Sequence, residues 1–381
     1  MQARMQRLPR ALHPGAWWLW AIGLATAASR TTNPLLLVLV VAVTGYVVAA
    51  RRGDAPWARG FRSYVILGLV VIAIRVLFRA LFDGQHGQHV LVTLPEIPLP
   101  EAAAGIRIGG AVSAEAVLAA IYDGLRLAAL LLCVGAANVL ANPKRLLKAM
   151  PSALHEIGVA VTVALSVAPQ LVESGQRVRR ARRLRGEAGR RMRVLKEIAI
   201  PVMTDALDRS LLLASAMDSR GYGRAVAAAP AAQRATAALV LGGLAGVCVG
   251  TYGLLDSTAP RNLGYPMLLV GLTTAAAGFR LAGRRVKRTR YRPDPWRAEE
   301  WAVALSGLAV ALLVLVASQL DGAGLHPSLQ PLSWPPLPAL PAVAILLGAL
   351  PAWLAPPTVR PARHRALLPA QPAELVAGGG G

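Results

Sequence analysis

The chain has 381 residues, 55% of them hydrophobic and 16% charged, with a formal charge of +22 and a mean hydropathy of +0.49. Apolar runs of 17 residues or more recur along it, which excludes an ordinary soluble domain and indicates an all-α, polytopic helical membrane protein. The positive charge collects in loops between those runs, as membrane topology requires, so nucleic acid is not an expected partner, whereas the lipid bilayer is.

Residues 1–15 carry Arg4, Arg7 and Arg10 and no acid, and an apolar run from Trp17 to Ala28 follows. That has the form of a secretory signal with Ala27-Ala28-Ser29 as its small-residue site. A second apolar run, Pro34 to Ala50, comes almost at once and favours an uncleaved hairpin. Trp17, Trp18 and Trp20 stand where an aromatic belt would lie. A third span runs from Tyr64 to Phe82. Arg51, Arg52, Arg59 and Arg62 precede it and mark a cytoplasmic loop. Asp83 to Ser113 is long and poor in cations, so it faces outward, and its Leu94 to Pro100 piece reads as extended connector. A fourth span, Ala116 to Leu140, returns the chain to Lys144, Arg145 and Lys148.

Leu154 to Val172 is about 29 Å long at 1.5 Å per residue, just enough to cross. Basic residues flank it on both sides, so it is expected to lie along the cytosolic side instead. Arg177 to Lys196 holds ten Lys or Arg residues and one acid, Glu187. One Arg at the bilayer centre costs about 2.5–3.5 kcal/mol, so this segment stays out of the membrane. Pro201 suits the first turn of a helix that runs to Arg220. On it Met203, Leu207, Leu211, Ala214 and Met217 form an apolar stripe, with Asp205, Asp208 and Ser219 opposite and Arg209 and Arg220 along its edge. Four more spans follow, at Ala235 to Leu255, Tyr265 to Leu281, Trp301 to Gln319 and Leu340 to Ala355. The loop from Arg284 to Arg297 is dense in cations, and the tail beyond Pro357 carries Arg360, Arg363 and Arg365 before reading as disordered. Eight crossings with both termini cytoplasmic satisfy every basic loop, in a multi-pass protein of the plasma membrane.

Within this oily chain a short motif occurs twice, 35 positions apart. The first copy is A-R-R-L-R-G, Ala181 to Gly186, and the second A-M-D-S-R-G, Ala216 to Gly221. Each Arg-Gly is expected to end a helix, the glycine as left-handed cap and the arginine beside the negative helix end. Helix capping alone accounts for one copy. Two copies on adjacent helices, each with Ala four residues before the Arg, point further. Ala keeps that face slim, and Arg offers a planar charged fork to carboxylates or carbonyls in a partner's groove.

These residues resemble the paired X-R-G motifs of the transmembrane T component of energy-coupling-factor transporters, the group that includes cobalt-transport permeases. The similarity extends over Asp123 to Gly186, with Arg126, then N-P-K-R-L-L-K-A-M-P, then an apolar helix with Pro169. The string A-M-D-S-R-G-Y-G from Ala216 resembles that family's most recognisable one. It covers residues 110–225 well and departs before each Arg, where Leu184 and Ser219 replace the common Ala. Span and charge placement divide the chain into four parts: an N-terminal bundle at 1–150, a cytoplasmic coupling-helix domain at 151–224, C-terminal spans at 225–357 that exceed what the resembled family requires, and a tail at 358–381. The resemblance concerns the first two. It implies that Ala181, Arg185, Gly186, Ala216, Arg220 and Gly221 bind two P-loop ATPase subunits, whose ATP-driven motion reaches a small substrate-binding membrane (S) subunit that takes up a vitamin or metal ion. No cofactor is expected in this chain, since ATP is bound by the partners and no G-x-x-x-x-G-K-[ST] loop is present.

Two rival classes are weaker. An enzyme needs reactive groups brought together, and His13, His155, His326 and His364 are scattered. Asp83, His86 and His89 have metal-ligand spacing only if helical, and Gly84 and Gly87 oppose a helix. A stand-alone membrane permease not coupled to ATPases would bury ionisable residues mid-span. The candidates, Arg75 and an Asp123–Arg126 pair, read as bundle-stabilising.

Overall fold

The computed structural model describes residues 10–53, 60–82, 89–98, 107–149, 154–185, 191–221, 230–255, 261–285, 294–320 and 322–357. Gly186, Asp83, His86, Gly84, Gly87, the first nine residues and the tail from 358 fall outside them. Residues 1–146 together with 294–381 form one compact unit, and residues 147–293 form a second, inserted between the two parts of the first.

The first unit begins with α1 (Pro14–Ser29) and α2 (Pro34–Arg51). Each opens on a proline at its first turn, and a side chain caps the exposed amides there. His13 Nδ1 accepts from the Gly15 amide at 3.1 Å, and Asn33 Oδ1 from the Leu35 amide at 3.0 Å. Next come α3 (Phe61–Phe82), strands β1 (Val90–Pro98) and β2 (Arg107–Ser113), α4 (Ala114–Leu140) and the short α5 (Pro143–Lys148). The connector expected around Leu94 is therefore strand up to Pro98. It pairs antiparallel with β2, and two bulges interrupt the ladder. Gly109 and Gly110, at φ 96° and 110°, let β2 follow that irregular edge.

The second unit holds α6 (His155–Leu184), α7 (Arg191–Ser219), α8 (Pro230–Leu255) and α9 (Arg261–Arg285). The chain then returns to the first unit with α10 (Ala298–Leu320), α11 (Gly322–Leu325), α12 (Ala339–Leu347) and α13 (Pro351–Leu354). Among the described residues seven helices are long and apolar enough to cross a membrane: α2, α3, α4, α6, α8, α9 and α10. Two of the eight expected crossings are shorter. α1 has 16 residues, about 24 Å, and the last expected span is broken into α12 and α13 by a turn before Pro351.

α1, α2, α4, α10 and α12 surround the core of the first unit. Trp17 and Trp20 belong to that core rather than to a surface belt, meeting edge to face at 6.0 Å. Trp20 Nε1 donates to the Gly348 carbonyl at 2.8 Å. Lipid is as apolar as a protein interior, so such packing rests on close contact and hydrogen bonds rather than on the hydrophobic effect. The contact is close: a Cβ at Gly23 would stand 2.0 Å from the Gly307 carbonyl oxygen, so α1 and α10 touch backbone to backbone.

The two ends of this unit differ in charge. At one end Arg10 pairs with the fully buried Glu300, which also accepts from the amides of His13 at 3.3 Å and Arg297 at 3.0 Å. At the same end Arg51 donates to the Ala352 carbonyl. Arg145 donates to the carbonyls of Ala11 at 2.7 Å and Leu12 at 3.1 Å and pairs with Asp294. The last pair joins the residues where the chain leaves the unit and comes back. At the opposite end the α1–α2 turn is bound to the α11 region. Thr31 Oγ1 donates to the Leu325 carbonyl at 2.8 Å, and Asn33 Nδ2 to those of Gly324 and Pro336 at 3.0 and 2.6 Å. Arg126 is not paired with Asp123; it donates to the Ser29 carbonyl at the end of α1.

Candidate partner-docking site

α6 and α7 form an antiparallel pair, because contact positions rise along one helix as they fall along the other. Gln170 meets Arg209, Ser174 meets Asp205, and Arg182 meets Glu197. At the centre the Ser174 hydroxyl donates to Asp205 Oδ2 at 2.7 Å, while Arg209 Nε donates to Asp205 Oδ1 at 3.0 Å and Arg209 Nη1 to Gln170 Oε1 at 3.2 Å. Arg177 approaches the same carboxylate at 3.5 Å. The Ser174 hydroxyl and then the Arg209 guanidinium hold the Asp205 carboxyl below the usual carboxylate range. Sequence reasoning missed this polar lock, although it placed Arg209 and Arg220 on one line, and that line carries the lock.

The lock sets which side of α7 meets α6. Val202, Asp205 and Arg209 face α6, whereas Met203, Leu207 and Leu211 are 67%, 64% and 68% exposed. The apolar stripe thus points away from α6 and lies uncovered among the described residues. α7 also begins at Arg191, ten residues before Pro201, which sits inside the helix. Pro removes one backbone hydrogen bond there, but the Arg182–Glu197 pair holds the turn before it against α6.

The described residues of both motifs lie on the helix sides that carry these contacts. Ser174, Ala181 and Arg185 follow at i, i+7 and i+11; Asp205, Arg209, Ala216 and Arg220 follow at i, i+4, i+11 and i+15. Ala181, Arg185, Ala216, Arg220 and Gly221 are nevertheless exposed, because among the described residues the side-chain contacts lie within 170–182 on α6 and 197–209 on α7. Arg185 caps α6, its amide donating back to Arg182 and Arg183. At the other motif the amides of Arg220 and Gly221 donate to Met217 and Asp218 at 3.2 and 2.8 Å, and Gly221 takes φ 74°, the left-handed cap its residue type promised. In an antiparallel pair the two C-terminal ends project from opposite extremities. Arg185 lies about 16 Å beyond Ser174, and Arg220 about 22 Å beyond Asp205 the other way, at 1.5 Å per residue. The tips are thus on the order of 35–40 Å apart.

Among the described residues no cluster of His, Cys, Asp or Glu could hold a metal ion. His89 instead donates its amide to Glu115 at 3.2 Å and meets the same carboxylate through Nδ1 at 2.8 Å, fastening β1 to the start of α4.

Residues 5–228, which include both Arg-Gly motifs, match the model of a family described as cobalt transport protein, CbiQ. The chain is 27% identical over 207 residues to the energy-coupling factor transporter transmembrane protein EcfT of Bacillus selenitireducens, a match covering 50% of this chain and 71% of that protein. It is 25% identical over 202 residues to the protein of the same description from Lactococcus lactis subsp. cremoris, covering 49% and 69%. α8 to α13 lie beyond the family match.

Proposed function

The chain belongs to the cobalt transport protein family, and from that membership we propose that it is the transmembrane energy-coupling component of an ATP-driven importer. The observation that carries this reading is the antiparallel pair α6–α7, which holds the exposed Arg185 at one extremity and the exposed Arg220 and Gly221 at the other. Each end fits a groove on one of two P-loop ATPase subunits, with Arg185 and Arg220 as the charged anchors and Ala181 and Ala216 keeping the approach narrow. The span between the tips suits two separate sockets rather than one.

When ATP draws the two ATPases together, the tips are brought closer and the helices turn about the Ser174–Asp205–Arg209 lock. The uncovered stripe of α7 passes that motion to a small substrate-binding membrane subunit, which delivers a vitamin or transition-metal ion. The chain does no chemistry itself. In this reading the cationic end of the first unit faces the cytoplasm, since Arg10, Arg51 and Arg145 gather there. The α6–α7 pair is cytoplasmic by its own ten cations between Arg177 and Lys196.

The test is co-purification of the ATPase subunits with full-length Arg185→Glu and Arg220→Glu variants. A buried interfacial arginine contributes at least about 2 kcal/mol, so each reversal should weaken its ATPase contact roughly 30-fold or more and stop ATP-dependent uptake. Wild-type assembly and uptake in both variants would sink the proposal. Uptake by the chain alone, without ATP, would favour a stand-alone permease.

A further inference from the structure

The side of α6 turned away from α7 carries one continuous ridge: Val161, Leu165, Val172, Arg179 and Arg183, spaced by four, seven, seven and four residues. Its first part is apolar and exposed among the described residues, with Val161 at 37%, Leu165 at 43% and Val172 at 61%. Its last part is cationic. Arg177 and Arg182 are engaged with Asp205 and Glu197, but Arg179 and Arg183 are exposed and meet no carboxylate among the described residues.

We propose that this ridge is a bilayer-interface surface, seating Val161 to Val172 among acyl chains and Arg179 and Arg183 on anionic lipid headgroups. The apolar part belongs to a helix that length and composition alone would let cross a membrane. Cations flank it, however, at Lys144, Arg145 and Lys148 before and from Arg177 onward after, which holds it on the cytosolic side. It suits a helix lying in the interface plane, where an apolar face enters the acyl boundary and arginines reach the phosphates. Crossing is opposed from the other side as well, because the partner helix carries Asp205, Asp208 and Arg209 along the same stretch. Charge complementarity selects the lipid: ten cations against one acid between Arg177 and Lys196 match a negative cytoplasmic leaflet. This inference does not depend on the ATPase reading, because it concerns the outer side of α6 and not the side bearing Arg185.

The test uses the full-length chain, purified alone, with Cys248→Ser and Val172→Cys carrying an environment-sensitive fluorophore; Cys133 is buried. It is reconstituted into phosphatidylcholine vesicles with increasing phosphatidylglycerol, and quenching by doxyl-labelled lipid is recorded. Quenching should rise with phosphatidylglycerol and fall with salt. In an Arg179→Gln/Arg183→Gln variant the phosphatidylglycerol fraction for half-maximal quenching should increase, by about five-fold in headgroup affinity per arginine removed. An Arg177→Gln variant, altered on the side facing α7, should quench as the unsubstituted chain does. Quenching independent of both headgroup charge and the two arginines would overturn the proposal. So would a label shielded only when ATPase subunits are added, which would assign the ridge to an acidic protein.

Discussion

Single carboxylates hold both parts of this molecule. Glu300 is fully buried and satisfies Arg10 together with two backbone amides, so its loss strands a guanidinium and two donors. Glu300→Ala should destabilise the first unit by about 2–3 kcal/mol, less than a fully buried pair because Arg10 remains partly exposed; the midpoint of heat-induced aggregation in detergent checks it. Asp205 gives a pH signature. Its folded value lies below the ordinary 3.8, so its contribution to the α6–α7 lock is complete above that value and is lost as pH falls through the lower one. Spin-label distances between α6 and α7 should hold from neutral pH down to about 4 and lengthen only below it, and Asp205→Asn should abolish that dependence. Gly221 was legible in the sequence, because a glycine after an Arg-bearing helix end has a definite backbone role. Glu300 was not, because nothing local distinguishes it from Glu299 beside it; only distant Arg10 makes it buried.

Whole elements were easier to read than what covers them. The length and composition of α2, α3, α4, α8, α9 and α10 announced membrane helices, and period 3.6 found the stripe on α7. Periodicity cannot say which partner buries a stripe, so the polar side of α7, not the apolar one, turned out to face α6. The β1–β2 hairpin escaped notice because its prolines argued against a strand, and the bulges that admit them depend on pairing with residues a dozen positions away. Helix contacts also depend on glycines whose importance no single sequence displays. A Cβ at Gly250 would lie 2.5 Å from the Leu268 nitrogen, and one at Gly307 2.4 Å from the Trp20 Cα, whereas Gly45 has nothing within 4 Å. Gly307→Val and Gly250→Leu should therefore push α10 off α1 and α8 off α9, each at a cost of at least about 1–3 kcal/mol. Gly45→Leu should be silent; protease resistance of the three variants in detergent distinguishes these outcomes.

At the scale of the molecule, charge placement in the sequence foretold that Arg10, Arg51 and Arg145 share one end of the first unit. Its order along the chain did not foretell that α10, α12 and α13 complete the core begun by α1, α2 and α4, since that requires pairing residues nearly 300 positions apart, as Arg10 and Glu300 do. The intervening 147 residues, 147–293, leave and come back through the Arg145–Asp294 doorway. They are attached as a cassette is, by two neighbouring threads. Splicing residue 146 to 294 through a short glycine bridge should yield a miniature protein that inserts into membranes and melts cooperatively; failure to fold would show that the cassette is a keystone. Such a doorway would let the inserted helices be lengthened or exchanged while the packing of α1, α2, α4, α10 and α12 stays as it is.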